Sequence, residues 1–181
     1  MPFTPFHMGP ALLIKAPLQG CFSLMVFGWT QILIDLQPLV VMLSGRGHIH
    51  GWTHTYLGAT FVGLTGGVTG KYLGQLGLAI LSGRRWAEVE IRWWVAILSG
   101  LIGSYSHIVL DSIMNRDMRP LAPWSDENEL LELVPVRTLH EFCLLCGLLG
   151  ATIVVVIAYR RAPRVEPSAE MESASDRDGL R

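Results

Sequence analysis

The chain has 181 residues, half of them hydrophobic and only 16% charged, against about 25% charged in an ordinary soluble domain. Its basic and acidic side chains nearly cancel, to a net charge of −1, which argues against the broad basic footprint of a nucleic-acid binder. Cys21, Cys143 and Cys146 all sit in apolar runs and do not make a disulfide framework. The missing charge points to lipid as a solvent.

Residues 9–16, "GPALLIKA", predict a short apolar helix ended by a turn at Pro17 and Gly20. No basic n-region precedes it, so a cleavable signal peptide is not expected. The stretch "CFSLMVFGWTQILIDLQPLVVMLS", residues 21–44, is long enough to cross a hydrocarbon core of about 30 Å. It nevertheless carries Gln31, Asp35, Gln37 and Pro38. A histidine-rich segment follows, "SGRGHIHGWTHTYLGA", with His48, His50 and His54 within seven positions.

Residues 55–83 are apolar and rich in glycine, suited to close helix approach. Lys71 is their single charge. A basic loop leads to "WWVAILSGLIGSYSHIVLDSIM", residues 93–114, another expected span with interfacial Trp93 and Trp94. The polar loop "NRDMRPLAPWSDENELLELVPVR" joins it to a last apolar run, "LHEFCLLCGLLGATIVVVIAY". Its CxxC pair lacks the βαβ setting of a redox motif. From Arg160 the chain turns polar and low in aromatics, the composition of a disordered tail.

The expected fold is all-α, a polytopic membrane helix bundle with four to five membrane helices. Residues 1–160 form the membrane domain and 161–181 a cytoplasmic tail. The N-terminal piece is too short to span alone and is expected to form a helical hairpin with residues 21–36. Lys15, Arg84, Arg85, Arg92, Arg160, Arg161 and Arg164 then share one side, and Arg46, Arg116, Arg119 and Arg137 the other. That bias favours the first group as cytoplasmic in a plasma (inner) membrane, with the histidine segment facing outward.

The hairpin brings His7 and Asp35 to one membrane level. His50 and His54 precede the next helix on that side, and His107 and Asp111 end the helix that returns. Four separate segments thus deliver imidazole and carboxylate to one layer. His107 and Asp111 are at i and i+4, neighbours on a helical face. His50 and His54 have the same spacing, useful if that stretch is helical. Such a donor set suits a divalent ion, zinc first and manganese or iron next.

Blander readings stand beside this one. Asp35 could pair with Lys71, and His107 could simply hydrogen-bond Asp111. His48 fits an amphipathic surface, and His140 a solvated helix end.

The motifs "MPFTPFHMGPALL", "IDLQP", "HGWTHT" and "GSYSHIVLDSIM", followed by "NRDMRPLAP", resemble in order those of the YdjM-like membrane-bound, metal-dependent hydrolases. The resemblance covers roughly residues 1–125. It departs at the acidic turn, where the second acidic position is Gln37, and the histidine pair is more closely spaced than in the "HRGxTH" form. The resemblance implies hydrolysis at a metal site formed by His7, Asp35, His50, His54, His107 and Asp111. Asp35 and Asp111 are the expected catalytic carboxylates, either of which could instead orient a histidine. Arg116, Asp117 and Arg119 on the adjoining loop are the expected substrate-binding residues for an ester or phosphoester, a lipid substrate being one such case. A non-enzymatic metal-binding or ion-handling carrier, or a scaffold that has lost catalysis, would use the same cluster.

Overall fold

The structure, a computed structural model, describes residues 5–161. Among these, every regular element is helical. After a 3-10 turn at Pro5–His7 come α1 (Met8–Leu18), α2 (Leu24–Ile34) and α3 (Leu36–Ser44). They are followed by α4 (Tyr56–Ser82), α5 (Trp93–Met114) and α6 (Val136–Arg161). The expected tail, 161–181, lies outside the described residues except for Arg161, which ends α6.

Local signals account for the boundaries. Ser23 caps α2 by accepting from the Val26 amide, and Thr55 caps α4 by accepting from the Gly58 amide at 3.0 Å. Gly83 ends α4 at φ +64°, a left-handed cap that favours glycine. Pro17 does not end α1 as expected but lies within its last turn.

Among the described residues, three segments are long and apolar enough to cross a membrane: Leu24–Ser44, Trp93–Met114 and Val136–Arg161. Of the other two helices in the expected four or five spans, α1 has 11 residues, about 16 Å of helix. With 27 residues α4 is long enough, but glycine, threonine and Lys71 dilute its apolar character.

Residues 24–44 are not one continuous helix. α2 stops at Ile34, Asp35 occupies the junction and α3 resumes at Leu36. Pro38 has no amide proton to return to the carbonyl four residues back, at Ile34. That carbonyl instead accepts from the Thr53 hydroxyl at 3.2 Å. The proline in "IDLQP" thus opens the backbone of a span and ties it to the histidine segment.

Helices α4 and α5 run antiparallel with backbones in near contact. A Cβ at Gly100 would lie 2.3 Å from the Gly63 carbonyl oxygen, and one at Gly66 would lie 2.4 Å from Thr30 Oγ1 on α2. Where lipid faces the outside, close backbone approach replaces the hydrophobic drive that packs soluble helices. Near the start of α5, Lys71 donates to the Ile91 carbonyl and sits 5.1 Å from the Trp93 ring centroid. This contact, not an ion pair with Asp35, accounts for the lysine.

α1 and α6 pack in parallel, with Cys143 and Cys146 buried. A Cβ at Gly9 would lie 1.9 Å from the Cys143 carbonyl oxygen. The three cysteines are free. The result is that the start of α1, the end of α2, the start of α4 and the end of α5 meet in one layer.

Candidate metal centre

Four chain segments supply the layer. His7 ends the 3-10 turn before α1, Asp35 stands at the break between α2 and α3, and His107 and Asp111 share the last turns of α5. His50 and His54 come from a bend and the 3-10 turn Trp52–His54. They are therefore not on one α-helical face, contrary to the helical reading of their spacing. The turn folds back instead, bringing their ring centroids to 5.1 Å.

His7, Asp35, His54, His107 and Asp111 are each no more than 4% exposed. The Nε2 atoms of all four histidines face the two carboxylates. His107 Nε2 lies 3.3 Å from Asp111 Oδ2 and 3.4 Å from Asp35 Oδ1. His7 Nε2 is 3.4 Å from Asp111 Oδ1. His54 Nε2 is 3.7 Å from Asp111 Oδ2 and 3.8 Å from Asp35 Oδ1, and His50 Nε2 is 3.7 Å from Asp111 Oδ2.

These separations are mostly too long for good hydrogen bonds, and the buried Nε2 atoms of His7, His54 and His107 have no hydrogen-bond partner. Leaving three such atoms unsatisfied costs about 1–3 kcal/mol each. A shared ion removes that cost. Ligand atoms around a tetrahedral zinc at bond lengths of about 2.0–2.1 Å stand about 3.3–3.4 Å apart, the range of the shortest separations here. Three interlocking triads have the geometry to hold an ion: His7, His107 and Asp111; Asp35, His54 and His107; and His50, His54 and Asp111. The donor set is imidazole and carboxylate with no thiolate, which fits zinc, manganese or iron.

The rings are also held from behind. His107 Nδ1 is 2.6 Å from Gln31 Oε1, and His54 Nδ1 is 3.0 Å from Thr53 Oγ1. His50 Nδ1–H donates to Asp117 Oδ1 at 2.8 Å, the carboxylate support common behind metal-bound imidazoles. Burial pulls His7 down from 6.5 to about 4. Burial likewise lowers His54. Both are then neutral near pH 7, the form a metal requires.

The loop after α5 is built onto this layer. Met118 is buried against Ile34, Ala59 and Ile108, the Pro120 carbonyl accepts from the Tyr56 amide at 2.8 Å, and Asn128 donates to the Ser112 carbonyl at 2.9 Å. A cavity of about 660 Å³ lies between the loop and the histidine segment, lined in part by His48, His50, Trp52, Arg116, Asp117 and Arg119. Arg116 is paired with Glu132 at 2.6 Å and Arg119 with Asp126 at 3.1 Å, both in exposed positions. His48 is exposed beside the cavity, outside the layer. His140 is stacked on Phe6, ring centroids 4.7 Å apart.

Gln31 and Thr53 were not singled out as site residues from sequence. A glutamine within an apolar span was the available signal for Gln31, because burying an amide requires partners. Nothing in the sequence marked Thr53. Gln37, at the second position of the acidic turn, accepts from the Thr53 amide at 2.9 Å and the Thr53 hydroxyl at 2.7 Å.

No curated protein and no solved structure matches the chain. The family model described as YdjM inner membrane protein matches residues 12–167, a span that includes every site residue above except His7. The ordered motifs, the helical bundle and this match agree, and the chain belongs to the YdjM inner membrane protein family.

Proposed function

We propose that the protein is a membrane-embedded, metal-dependent hydrolase acting on an ester or phosphoester. The observation that carries the reading is the convergence of four histidine Nε2 atoms on Asp35 and Asp111, three of them buried without a hydrogen-bond partner. His7, Asp35, His50, His54, His107 and Asp111 would hold one or two divalent ions, zinc being the best match to the donors. Such an ion supplies Lewis acidity toward a carbonyl or phosphoryl oxygen and makes water acidic enough to act as a nucleophile near neutral pH.

The chain's own residues supply the rest. Asp111 presents one carboxylate oxygen to His7 and the other to His50, His54 and His107, so it neutralises charge across the whole layer. Asp35 supports His54 and His107 from the α2 break and is the second carboxylate able to accept a proton. His50 connects the layer to the cavity, whose wall includes the substrate-binding residues of the proposal, Arg116, Asp117 and Arg119. A guanidinium released from Glu132 or Asp126 would clamp a phosphate-like anion. The exposed Trp52 beside the cavity supports a position at the lipid boundary, and the charge bias supports the extracytoplasmic side of the inner membrane, which would suit a lipid or lipid-linked substrate.

One feature favours a second reading. A span broken at an acidic residue, as at Asp35, is also how ion-handling carriers build their sites. Metal analysis of detergent-purified protein, beside His107→Ala and His54→Ala, tests the shared centre: stoichiometric metal in the wild type should vanish in both variants. Metal surviving both substitutions overturns it. Turnover of phosphoester or lipid esters that needs the metal then supports the hydrolase, and metal flux into vesicles without turnover supports the carrier.

A further inference from the structure

Two glutamines, Gln31 buried and Gln37 half-buried, stand behind the layer, and their hydrogen bonds can be followed from backbone groups whose roles are fixed. The Gly103 carbonyl can only accept, and Gln31 Nε2 donates to it at 2.9 Å. The amide is thereby oriented, so Oε1 is the atom facing His107 Nδ1 at 2.6 Å. An amide oxygen only accepts, so Nδ1 of His107 carries a proton, and Nε2 is the nitrogen left to face the centre.

The second path starts from the Thr53 amide, which can only donate. It donates to Gln37 Oε1 at 2.9 Å, which fixes that amide as well. The Thr53 hydroxyl has one proton, and of its neighbours Gln37 Oε1 at 2.7 Å, the Ile34 carbonyl at 3.2 Å and His54 Nδ1 at 3.0 Å, the shortest contact is to an amide oxygen that only accepts and so claims that proton. With its proton on Gln37, the hydroxyl is left to accept from His54 Nδ1 at 3.0 Å. His54 therefore also carries its proton on Nδ1. Gly51 leaves room for this arrangement, since a Cβ there would lie 1.8 Å from Gln37 Nε2.

We infer that Gln31 and Gln37 are positioning residues that place the proton of His107 and His54 on Nδ1, turning an unprotonated Nε2 of each ring into the centre. The inference deepens the metal-centre reading and rests on it for its purpose, although proton placement is itself measurable without metal. A free imidazole side chain prefers its proton on Nε2, the wrong nitrogen for ligation here. Gln37 thus has a role where a second carboxylate was expected, behind the donors rather than among them.

The test uses the full chain in detergent, chelator-treated and labelled with 15N-histidine, and reads the tautomer of each ring from long-range proton–nitrogen correlation spectra. His54→Asn and His107→Asn identify the signals. Wild type should show both rings as the Nδ1–H form. In Gln31→Met His107 should lose that preference while His54 keeps it, and Gln37→Met should show the reverse. Zinc affinity, read by competition with a chelating dye, should weaken by about 10- to 100-fold in each methionine variant. Gln37→Glu should restore both readouts, because a carboxylate oxygen accepts the same two bonds.

An Nε2–H form of either ring in the wild type overturns the inference, as do methionine variants with unchanged tautomers and zinc affinity. If a methionine variant fails to fold, the wild-type tautomers and the Gln37→Glu protein decide. A wild type that binds no zinc sinks the metal-centre reading alone, since the tautomers are read without it.

Discussion

His107 and Asp111 lie one helical turn apart on α5, with His107 Nε2 3.3 Å from Asp111 Oδ2, yet that nitrogen makes no hydrogen bond. A simple histidine–aspartate pair would close that distance. The gap is explained if both atoms face a third partner, which Asp111 shares with His7, His50 and His54. Asp111→Asn keeps the shape and removes the charge. Purified Asp111→Asn should therefore retain its helical circular dichroism and lose stoichiometric metal. Full metal occupancy in that variant would assign the carboxylate an outer role only.

The burial of His7 gives a pH dependence with a defined sign. Its folded value, about 4, lies below the unfolded 6.5. Between the two, the unfolded chain binds the extra proton, so stability falls as pH drops through that window and is complete above 6.5. The shift corresponds to at most about 3 kcal/mol. Thermal unfolding of chelator-treated protein at pH 7, 6 and 5 should show a steeper loss for wild type than for His7→Gln. Equal slopes in the two proteins would remove His7 as the source.

Much of the layer was legible in the sequence because its donors come as local motifs on recognisable helices. "SHIVLD" puts two donors on one face of α5, and the hairpin of α1 and α2 puts His7 and Asp35 at the same level. The spacing of His50 and His54 misled, because a glycine-flanked 3-10 turn, not an α-helix, brings them together. The sequence puts Asp117 on a loop expected to bind substrate, and the structure sets its carboxylate on His50. Partial burial alone would raise that carboxyl, and the bond from His50, with the nearby charge and backbone amides, leaves it lowered. A contact made across 67 residues of sequence leaves no periodicity to read. The same holds for Gln31 with His107 and Thr53 with Gln37.

Packing of α4 on α5 predicts a sharp asymmetry among glycines. A Cβ at Gly100 would meet the Gly63 carbonyl at 2.3 Å and the Gly67 nitrogen at 2.8 Å, all backbone that cannot step aside. Gly100→Ala should destabilise by about 1–3 kcal/mol, as overpacking does. At Gly20 a Cβ meets nothing within 4 Å, so Gly20→Ala should unfold close to wild type. Thermal unfolding in one detergent compares the two, and similar melting temperatures would contradict the close backbone approach.

Gly51 makes the final prediction, because it carries no donor and touches none of the carboxylates. Its importance would be steric: a Cβ there falls 1.8 Å from Gln37 Nε2 and 3.2 Å from Gln37 Oε1. The amide is the end of a flexible side chain, so Gly51→Ala should fold and push the amide aside rather than break the loop. Thr53 would then lose the acceptor of its amide and hydroxyl, and His54 the support behind Nδ1. Zinc affinity in Gly51→Ala should fall in the same direction as in Gln37→Met. Combining the two substitutions should add little, since both act through one contact and such pairs are not additive. A double variant that loses the full sum of the single effects would show that Gly51 acts on the centre by another route.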